Sequence, residues 1–321
     1  MLGSLGLSHF ARATPQDAMK ATAATPHRDR LPLAVGTIIF TVFALSLGDA
    51  LIKQSSSQFV IWQIFVIRSG IAIPFLVGYL AIRSPSALRL GRAFGWTALR
   101  SLLLVIMWVC YYLSLPHLTL SVAAATYYTL PIFITLLSAV VTQTAISKTG
   151  WFAVVIGFAG VLFILRPDAG NFNGYALLPL CSAMLYACAM ILTRTKCRGV
   201  HPIKLSLALN IAFVVVGAVA AVVISMLSDD MRQGFLLAPW TSMTLNGLGT
   251  MAILAASILI GSIGAAIAYQ NGPPAMIGTF DFAYVGFSFV WGVLFFAETP
   301  DALSLIGIIM IVAAGIMSLR Q

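Results

Sequence analysis

The sequence predicts an all-α polytopic membrane protein with ten transmembrane helices arranged as two inverted five-helix repeats. Composition is the first observation: 60% of the 321 residues are hydrophobic and only 8% are charged, whereas soluble domains carry roughly 25% charged residues. The apolar residues fall into ten runs near the length of a membrane-spanning helix. The basic residues collect in alternate loops between these runs, as the topology of a membrane protein requires.

The ten apolar runs define the predicted spans, since a membrane helix needs about 20 apolar residues. They cover residues 32–52, 59–82, 97–115, 120–142, 150–166, 174–193, 203–228, 246–269, 274–297 and 302–319. The segment before them, residues 1–30, is polar to mixed and lacks the pattern of a signal peptide. It is predicted to be a flexible cytoplasmic tail.

The basic residues orient the spans, because cytoplasmic loops carry an excess of Lys and Arg. If the first run crosses from inside to outside, thirteen of the 18 basic residues are cytoplasmic, and only Lys53, Arg166 and Arg232 fall outside. Both termini are therefore predicted to be cytoplasmic. The formal charge of +9 needs no nucleic-acid partner, because its residues lie in short loops and not on one amphipathic face.

Two helix pairs at corresponding positions of the halves look alike. Residues 121–167 and 274–320 both open on small residues, pass through an aromatic patch, cross a tight polar turn and end in a Gly-rich helix. Because five is an odd number, a second five-helix half starts from the opposite side of the membrane. The sequence thus predicts inverted repeats over 31–167 and 174–320, the architecture that places a midplane site between the halves.

These residues also resemble a known family, the EamA-type members of the drug/metabolite transporter superfamily. Residues 121–167, with Pro131 and Trp151, resemble the fourth and fifth helices of the first EamA repeat. The stretch 268–315, including the turn that begins at Glu298, resembles the second repeat more closely. One departure is that Gln143-Thr144 stands where the first repeat usually has Gly-Glu.

The resemblance implies a secondary active transporter in the bacterial inner membrane that moves an amino-acid-like, vitamin-like or cofactor-like metabolite by alternating access. Export of a metabolite or drug and uptake of a riboflavin- or S-adenosylmethionine-type compound both remain open. A membrane-embedded enzyme is disfavoured, because neither HExxH nor GxSxG is present and no histidine lies inside a span. A passive channel is disfavoured because no ring of charges or filter loop is evident.

Charged residues inside apolar runs are costly, so each needs a partner or a function. Asp49 and Lys53 lie four residues apart on one face of the first run. They are expected either to form a local ion pair or to take part in proton or substrate coupling. Arg68 lies near mid-depth, where it binds an anionic group or pairs with Asp49. Arg100 is expected to anchor the third run at the cytoplasmic side. Asp281, among aromatic residues, either exchanges protons near neutral pH or forms a buried hydrogen bond.

Aromatic residues deep in the spans are predicted to line the cavity, with Trp108, Tyr127 and Tyr128 first among them. Tyr269 and Gln270 lie near a span end, where interfacial anchoring is expected. The substrate-binding or coupling candidates are therefore Asp49, Arg68, Trp108, Tyr127, Tyr128 and Asp281.

The four cysteines and four histidines show no ligand spacing, so no metal, disulfide or cofactor is predicted, and no catalytic residue either. The predicted partners are a small-molecule substrate and the lipid bilayer, without nucleic acid. Whether the chain forms a homodimer is left open.

Overall fold

The computed structural model describes residues 30–89, 91–142, 147–165, 173–299 and 301–318. All secondary structure in these ranges is helical. The helices are α1 Leu31–Ser55, α2 Ile61–Arg83, α3 Phe94–Ser114, α4 Leu120–Tyr127, α5 Leu130–Thr142, α6 Lys148–Leu165, α7 Leu177–Thr195, α8 Pro202–Ser225, α9 Leu245–Asn271, α10 Pro274–Phe280, α11 Ala283–Phe296 and α12 Ala302–Ser318. Single helical turns lie at Pro85–Leu88, Gly174–Ala176, Asp229–Met231 and Gly234–Leu237.

Eight helical stretches in the described ranges are long and apolar enough to cross a membrane. They are α1, α2, α3, α7 with the turn before it, α8, α9, and two stretches that join α4 to α5 and α10 to α11. The apolar helices α6 and α12 have 18 and 17 residues and adjoin segments outside the described ranges. These eight stretches correspond to eight of the ten spans predicted from the sequence. The count of ten helices stays a prediction. Residues 1–29 of the tail, Gln143-Thr144 and Arg166 lie outside the described residues.

Helix starts follow local chemistry. The hydroxyl of Thr119 accepts a hydrogen bond from the Val122 amide at the start of α4, 3.3 Å away. The hydroxyl of Thr244 does the same for the Gly247 amide at the start of α9, at 3.1 Å. Pro202 occupies the first turn of α8. An amide in that turn has no partner within the helix, so proline loses no hydrogen bond there. These signals explain why the observed helix starts lie within a few residues of the predicted ones.

Two predicted spans are broken near their middles. The helices α4 and α5 are separated at Tyr128-Thr129, two residues before Pro131, which has no amide proton and crowds the preceding turn. The helices α10 and α11 are separated at Asp281-Phe282. There the Tyr284 amide bonds back only three residues, to the Asp281 carbonyl oxygen at 2.9 Å. The sequence analysis predicted both spans but did not predict a break within either of them.

The helices pack in pairs that correspond between the two halves of the chain. Helix α1 packs against α9, and α7 packs against α3. Helix α2 packs against α8, and α6 packs against α12. Exchanging the five predicted spans of the first half with those of the second would convert α1–α9 into α7–α3 and return the other two pairs to themselves. The predicted two-fold repeat would produce this pattern.

Small residues on α9 bring it close to α1. A Cβ atom placed on Gly261 would lie 2.7 Å from Cγ of Leu45, well inside van der Waals contact. A Cβ on Gly264 would overlap the hydroxyl of Thr41. Close approach over small residues is a common way for membrane helices to associate. The small residues Gly261 and Gly264 therefore allow the close contact between α1 and α9.

We predict that Gly261→Val destabilises the fold by about 1–3 kcal/mol, because the added methyl groups must displace Leu45. The measurement is the unfolding temperature of the purified protein in detergent. Gly249→Val is the matched control, since Gly249 lies on the same helix with open space around it. Equal unfolding temperatures for the two variants would contradict the close α1–α9 contact.

Candidate functional site

The two helix breaks meet inside the protein. The hydroxyl of Tyr128, at the first break, donates a hydrogen bond to the backbone carbonyl oxygen of Asp281, at the second. The same oxygen also accepts the bond from the Tyr284 amide. The Tyr128 hydroxyl is therefore a second donor to this carbonyl, and it joins the two breaks directly.

The carboxylate of Asp281 is buried beside tyrosine side chains. Its Oδ2 accepts a hydrogen bond of 2.6 Å from the hydroxyl of Tyr269, and only 2% of the residue is exposed. The ring of Tyr186 packs edge-on against that of Tyr269, with centroids 6.1 Å apart. Within the described ranges Asp281 forms no ion pair. This acid therefore has hydrogen-bonding partners but no compensating positive charge.

A second buried acid, Asp49, lies on α1. The hydroxyl of Tyr284 donates a hydrogen bond to Asp49 Oδ2, and it also lies 2.8 Å from the hydroxyl of Tyr111. Asp49 is 1% exposed. Because Tyr284 lies three residues after Asp281, the start of α11 connects the surroundings of the two acids.

Arg68 lies behind this cluster, surrounded by aromatic rings. Its guanidinium carbon is 4.9 Å from the ring centroid of Phe65 and 4.7 Å from that of Phe213. Its Nη1 donates to the Tyr112 hydroxyl at 3.2 Å, and the same hydroxyl interacts with Asp49. Arg68 Nε and Nη2 have no hydrogen-bond partner among the described residues. Tyr112 thus joins the buried positive charge to a buried negative one.

These groups surround a small cavity of about 20 Å³, which is close to the space that one water molecule occupies. Tyr127 is central to its wall, with its ring centroid 5.4 Å from that of Tyr111 and 6.0 Å from that of Tyr186. A metabolite enters this tyrosine cavity only if the rings move apart. Its lining residues are Val42, Leu45, Trp108, Tyr111, Tyr127, Tyr128, Tyr186, Asp281 and Tyr284.

At one end of the bundle an ion pair joins three segments, and we name it the Lys53–Glu298 latch. Lys53 Nζ lies 2.6 Å from Glu298 Oε1 and also donates to the Leu118 carbonyl oxygen at 2.7 Å. Glu298 Oε2 accepts from the Leu120 amide at 2.9 Å, at the first residue of α4. The latch holds together the end of α1, the loop before α4 and the end of α11.

At the other end a side-chain amide joins two segments, and we name it the Gln270 latch. Gln270 Nε2 donates to the carbonyl oxygens of Cys197 and Val200, at 2.9 and 2.8 Å. Arg194 Nη1 donates to the Gln270 carbonyl oxygen at 3.1 Å. The Arg30 amide bonds to Asn271 at 2.9 Å, so this latch lies by the start of α1. The Lys53–Glu298 latch lies near the end of α1, about 34 Å further along the helix.

The comparisons with known proteins agree with this architecture. Residues 32–166 match the model of the EamA-like transporter family. This part of the chain is therefore an EamA-like transporter domain. This confirms the resemblance to EamA-type members of the drug/metabolite transporter superfamily that the sequence indicated. The chain is a multi-pass membrane protein of a transporter family.

Several relatives are similar to most of the chain. The pseudopaline exporter CntI of Pseudomonas aeruginosa is 24% identical over 287 residues, which are 89% of this chain and 95% of that protein. A riboflavin transporter of Brucella anthropi is 24% identical over 81% of this chain and 86% of its own length. A solved crystal structure with a TM-score of 0.66 and 16% identity covers 91% of this chain and 97% of its own, and its likeness concerns the fold.

The structure brings all six predicted site residues into one cluster inside the protein. Four of them, Trp108, Tyr127, Tyr128 and Asp281, line the tyrosine cavity. Asp49 is joined to the cavity through Tyr284, and Arg68 is joined to Asp49 through Tyr112. Their roles in binding or coupling stay predictions.

Several local predictions were wrong. Lys53 pairs with Glu298 and not with Asp49. Arg100 does not anchor at the interface, because it is fully buried and its Nε donates to the Thr193 hydroxyl at 2.7 Å. Tyr269 and Gln270 are not interfacial anchors either: the first binds Asp281 and the second forms the Gln270 latch.

Sequence reasoning left four cavity or site tyrosines out of its candidates, namely Tyr111, Tyr186, Tyr269 and Tyr284. Tyr111 and Tyr186 lie well inside predicted spans, and their depth was a usable signal. Tyr284 lies three residues from Asp281, almost one helical turn. Only Tyr269 gave no signal, because its position near the end of a span favours anchoring.

We predict that Asp49→Asn destabilises the protein by about 1–3 kcal/mol, because it weakens the buried hydrogen bond from Tyr284 and removes the negative charge that is joined to Arg68 through Tyr112. The measurement is the free energy of unfolding, obtained by denaturing-detergent titration. The double variant Asp49→Asn/Arg68→Gln should recover much of this loss. Asp230→Asn, in an exposed loop, controls for the loss of one carboxylate. Additive effects of the two single changes would show that Asp49 and Arg68 are not coupled.

Proposed function

We propose that this protein is a secondary active transporter that moves a small metabolite across the bacterial inner membrane by alternating access. The observation that carries the proposal is the tyrosine cavity, which lies where two broken helices meet. Discontinuous helices of this kind build the substrate sites of many secondary transporters. The wall contains aromatic faces, hydroxyl groups and an acid, and it has no set of nucleophile, base and metal ligands that would support catalysis.

Inverted repeats over residues 31–167 and 174–320 are part of this proposal. The reciprocal packing of α1–α9 and α7–α3 supports them. So do the positions of the two breaks, since α4–α5 and α10–α11 are the fourth spans of their halves. The distribution of Lys and Arg supports cytoplasmic termini, and in the proposed orientation the Lys53–Glu298 latch lies on the outer side.

In the proposed cycle the two latches open alternately. Access from the outer side requires Lys53 to separate from Glu298, which would release the ends of α1 and α11. Access from the cytoplasm requires Gln270 to release the loop that contains Cys197 and Val200. The conformation described here has both latches formed and the tyrosine cavity nearly closed. It corresponds to the step between the two open forms.

Asp281 is the proposed coupling residue. It faces hydroxyl groups and has no ion pair in the described ranges, so protonation would remove an uncompensated charge from the interior. A carrier that binds a proton here can couple substrate movement to the proton gradient. The alternative energy source is the gradient of the substrate itself.

Export is the first direction that we propose. The relative named as a pseudopaline exporter matches over 95% of its length, more than the riboflavin transporter of Brucella anthropi, at 86%. Uptake of a vitamin of the riboflavin kind is the second candidate, favoured by the aromatic lining, which suits a planar ring. Pseudopaline and riboflavin are therefore the first compounds to assay.

We expect proteoliposomes containing the protein to transport one of these two compounds faster when a pH gradient is imposed. Asp281→Asn should lower the flux about tenfold or more, because a group that carries protons in transport cannot be replaced by an amide. Asp230→Asn should leave the flux unchanged. Indifference of the wild-type flux to the pH gradient would remove proton coupling, and unchanged flux in Asp281→Asn would remove Asp281 from the mechanism.

A second prediction concerns the Gln270 latch. Cys197 is fully buried beneath it, and burial raises the pKa of the Cys197 thiol, so the thiol should react slowly with maleimides. We expect Gln270→Ala to accelerate this labelling about tenfold, because it removes both bonds that hold the loop. The assay uses a background in which Cys110, Cys181 and Cys188 are replaced by Ala.

Asn271→Ala is the matched control for this labelling, because the Asn271 amide donates to Ile267 within its own helix. Substrate that drives opening toward the cytoplasm should also accelerate labelling of wild-type Cys197. Equal labelling rates in Gln270→Ala and Asn271→Ala would remove Gln270 from the proposed gate.

A further inference from the structure

A second and larger cavity, of about 1070 Å³, lies between α3 and α8. It is bounded by the loop that joins α2 to α3 and by the loop that joins α7 to α8. Both loops are predicted to be cytoplasmic. We name this cavity the α3–α8 groove. It shares no lining residue with the tyrosine cavity, so the proposed transport pathway does not account for it.

The wall of the groove is apolar over a length that fits part of a lipid tail. Along α8 the lining residues recur every three or four positions, and they form one stripe about 18 Å long. Half the hydrocarbon thickness of a bilayer is about 15 Å, so the stripe matches one leaflet. Its residues are Lys204, Leu207, Ala208, Ile211, Ala212, Val215 and Val216.

The rim of the groove is basic. Arg92 comes from the first loop, Lys196 from the second and Lys204 from the start of α8. Lys204 Nζ is held by the Arg89 carbonyl oxygen at 2.6 Å, and Lys196 Nζ lies 5.4 Å from the ring centroid of Trp96. Among the described lining residues there is no Asp or Glu. Positive charge is therefore concentrated at the end of an otherwise apolar groove.

We propose that the α3–α8 groove binds an anionic phospholipid of the cytoplasmic leaflet. The phosphate lies at Arg92, Lys196 and Lys204, and one acyl chain follows the stripe on α8. Basic clusters at the cytoplasmic ends of membrane helices attract anionic headgroups. A soluble anion would use the rim and leave the apolar wall unfilled, whereas a phospholipid matches both.

The position of the groove gives the lipid a route to the transport cycle. Gly199 and Val200 line the groove, and the Val200 carbonyl oxygen is also an acceptor of the Gln270 latch. A lipid bound at Lys196 restrains the same loop that the latch holds. Lipid binding itself depends on the groove alone, and its test needs no transport substrate.

The experiment measures the unfolding temperature of the purified full chain in detergent with added phosphatidylglycerol or phosphatidylcholine of identical acyl chains. We expect phosphatidylglycerol to stabilise the wild type more than phosphatidylcholine does. Arg92→Gln/Lys196→Gln should weaken the apparent affinity for phosphatidylglycerol about tenfold or more, since each basic residue near an anionic headgroup contributes to binding. Arg83→Gln/Lys148→Gln, exposed and outside the groove, should retain the wild-type response.

Ala208→Phe tests the acyl-chain part, because it fills the groove without changing its charge. Ala208→Phe should also weaken the stabilisation by phosphatidylglycerol. If Arg92→Gln/Lys196→Gln fails to fold, the result with Ala208→Phe decides between the outcomes. Equal stabilisation by the two lipids, or an unchanged response in Ala208→Phe, would overturn the proposal. So would equal stabilisation by glycerol phosphate, which carries the anion without the chains.

Discussion

The hydrogen bond between the two helix breaks is the contact on which the centre of this protein depends. Each break interrupts backbone pairing in a region that has no bulk water. The Asp281 carbonyl oxygen accepts the Tyr284 amide within its own break, and Tyr128 adds a second donor from the other break. This bond joins the two breaks where the tyrosine rings converge. The same interaction leaves the side chain of Asp281 directed at hydroxyl groups.

The buried charges divide into a balanced set and an unbalanced one. Arg68 and Asp49 are joined through Tyr112, and the aromatic rings around Arg68 add cation–π contacts. The Asp281 carboxylate accepts a hydrogen bond from Tyr269 and forms no ion pair within the described ranges. A buried charge without a counter-charge is expensive, so it persists where a proton or a cationic group on a ligand can neutralise it. This distinction separates a structural role for Arg68 from the coupling role proposed for Asp281.

Helix positions could be predicted from the sequence because a span needs a fixed length of apolar residues, and loop charges fix their order across the membrane. The break at Tyr128 could have been predicted from Pro131, but the break at Asp281 has no proline and no local signal. The pairing of Lys53 with Glu298 could not be predicted, since they are 245 residues apart and helical spacing indicates only near neighbours such as Asp49. Arg100 was misjudged for a related reason: depth in a span does not indicate which way a side chain points.

The two latches differ in the kind of bond that closes them. The Lys53–Glu298 latch is an ion pair with two further bonds to backbone groups. In the Gln270 latch the side-chain amide donates to two backbone carbonyl oxygens, and the charged Arg194 side chain donates to the backbone carbonyl of Gln270. Charge-assisted hydrogen bonds are roughly twice as strong as neutral ones, so each latch contains at least one strong bond. In the proposed cycle, opening either side therefore needs free energy from substrate binding or from an ion gradient.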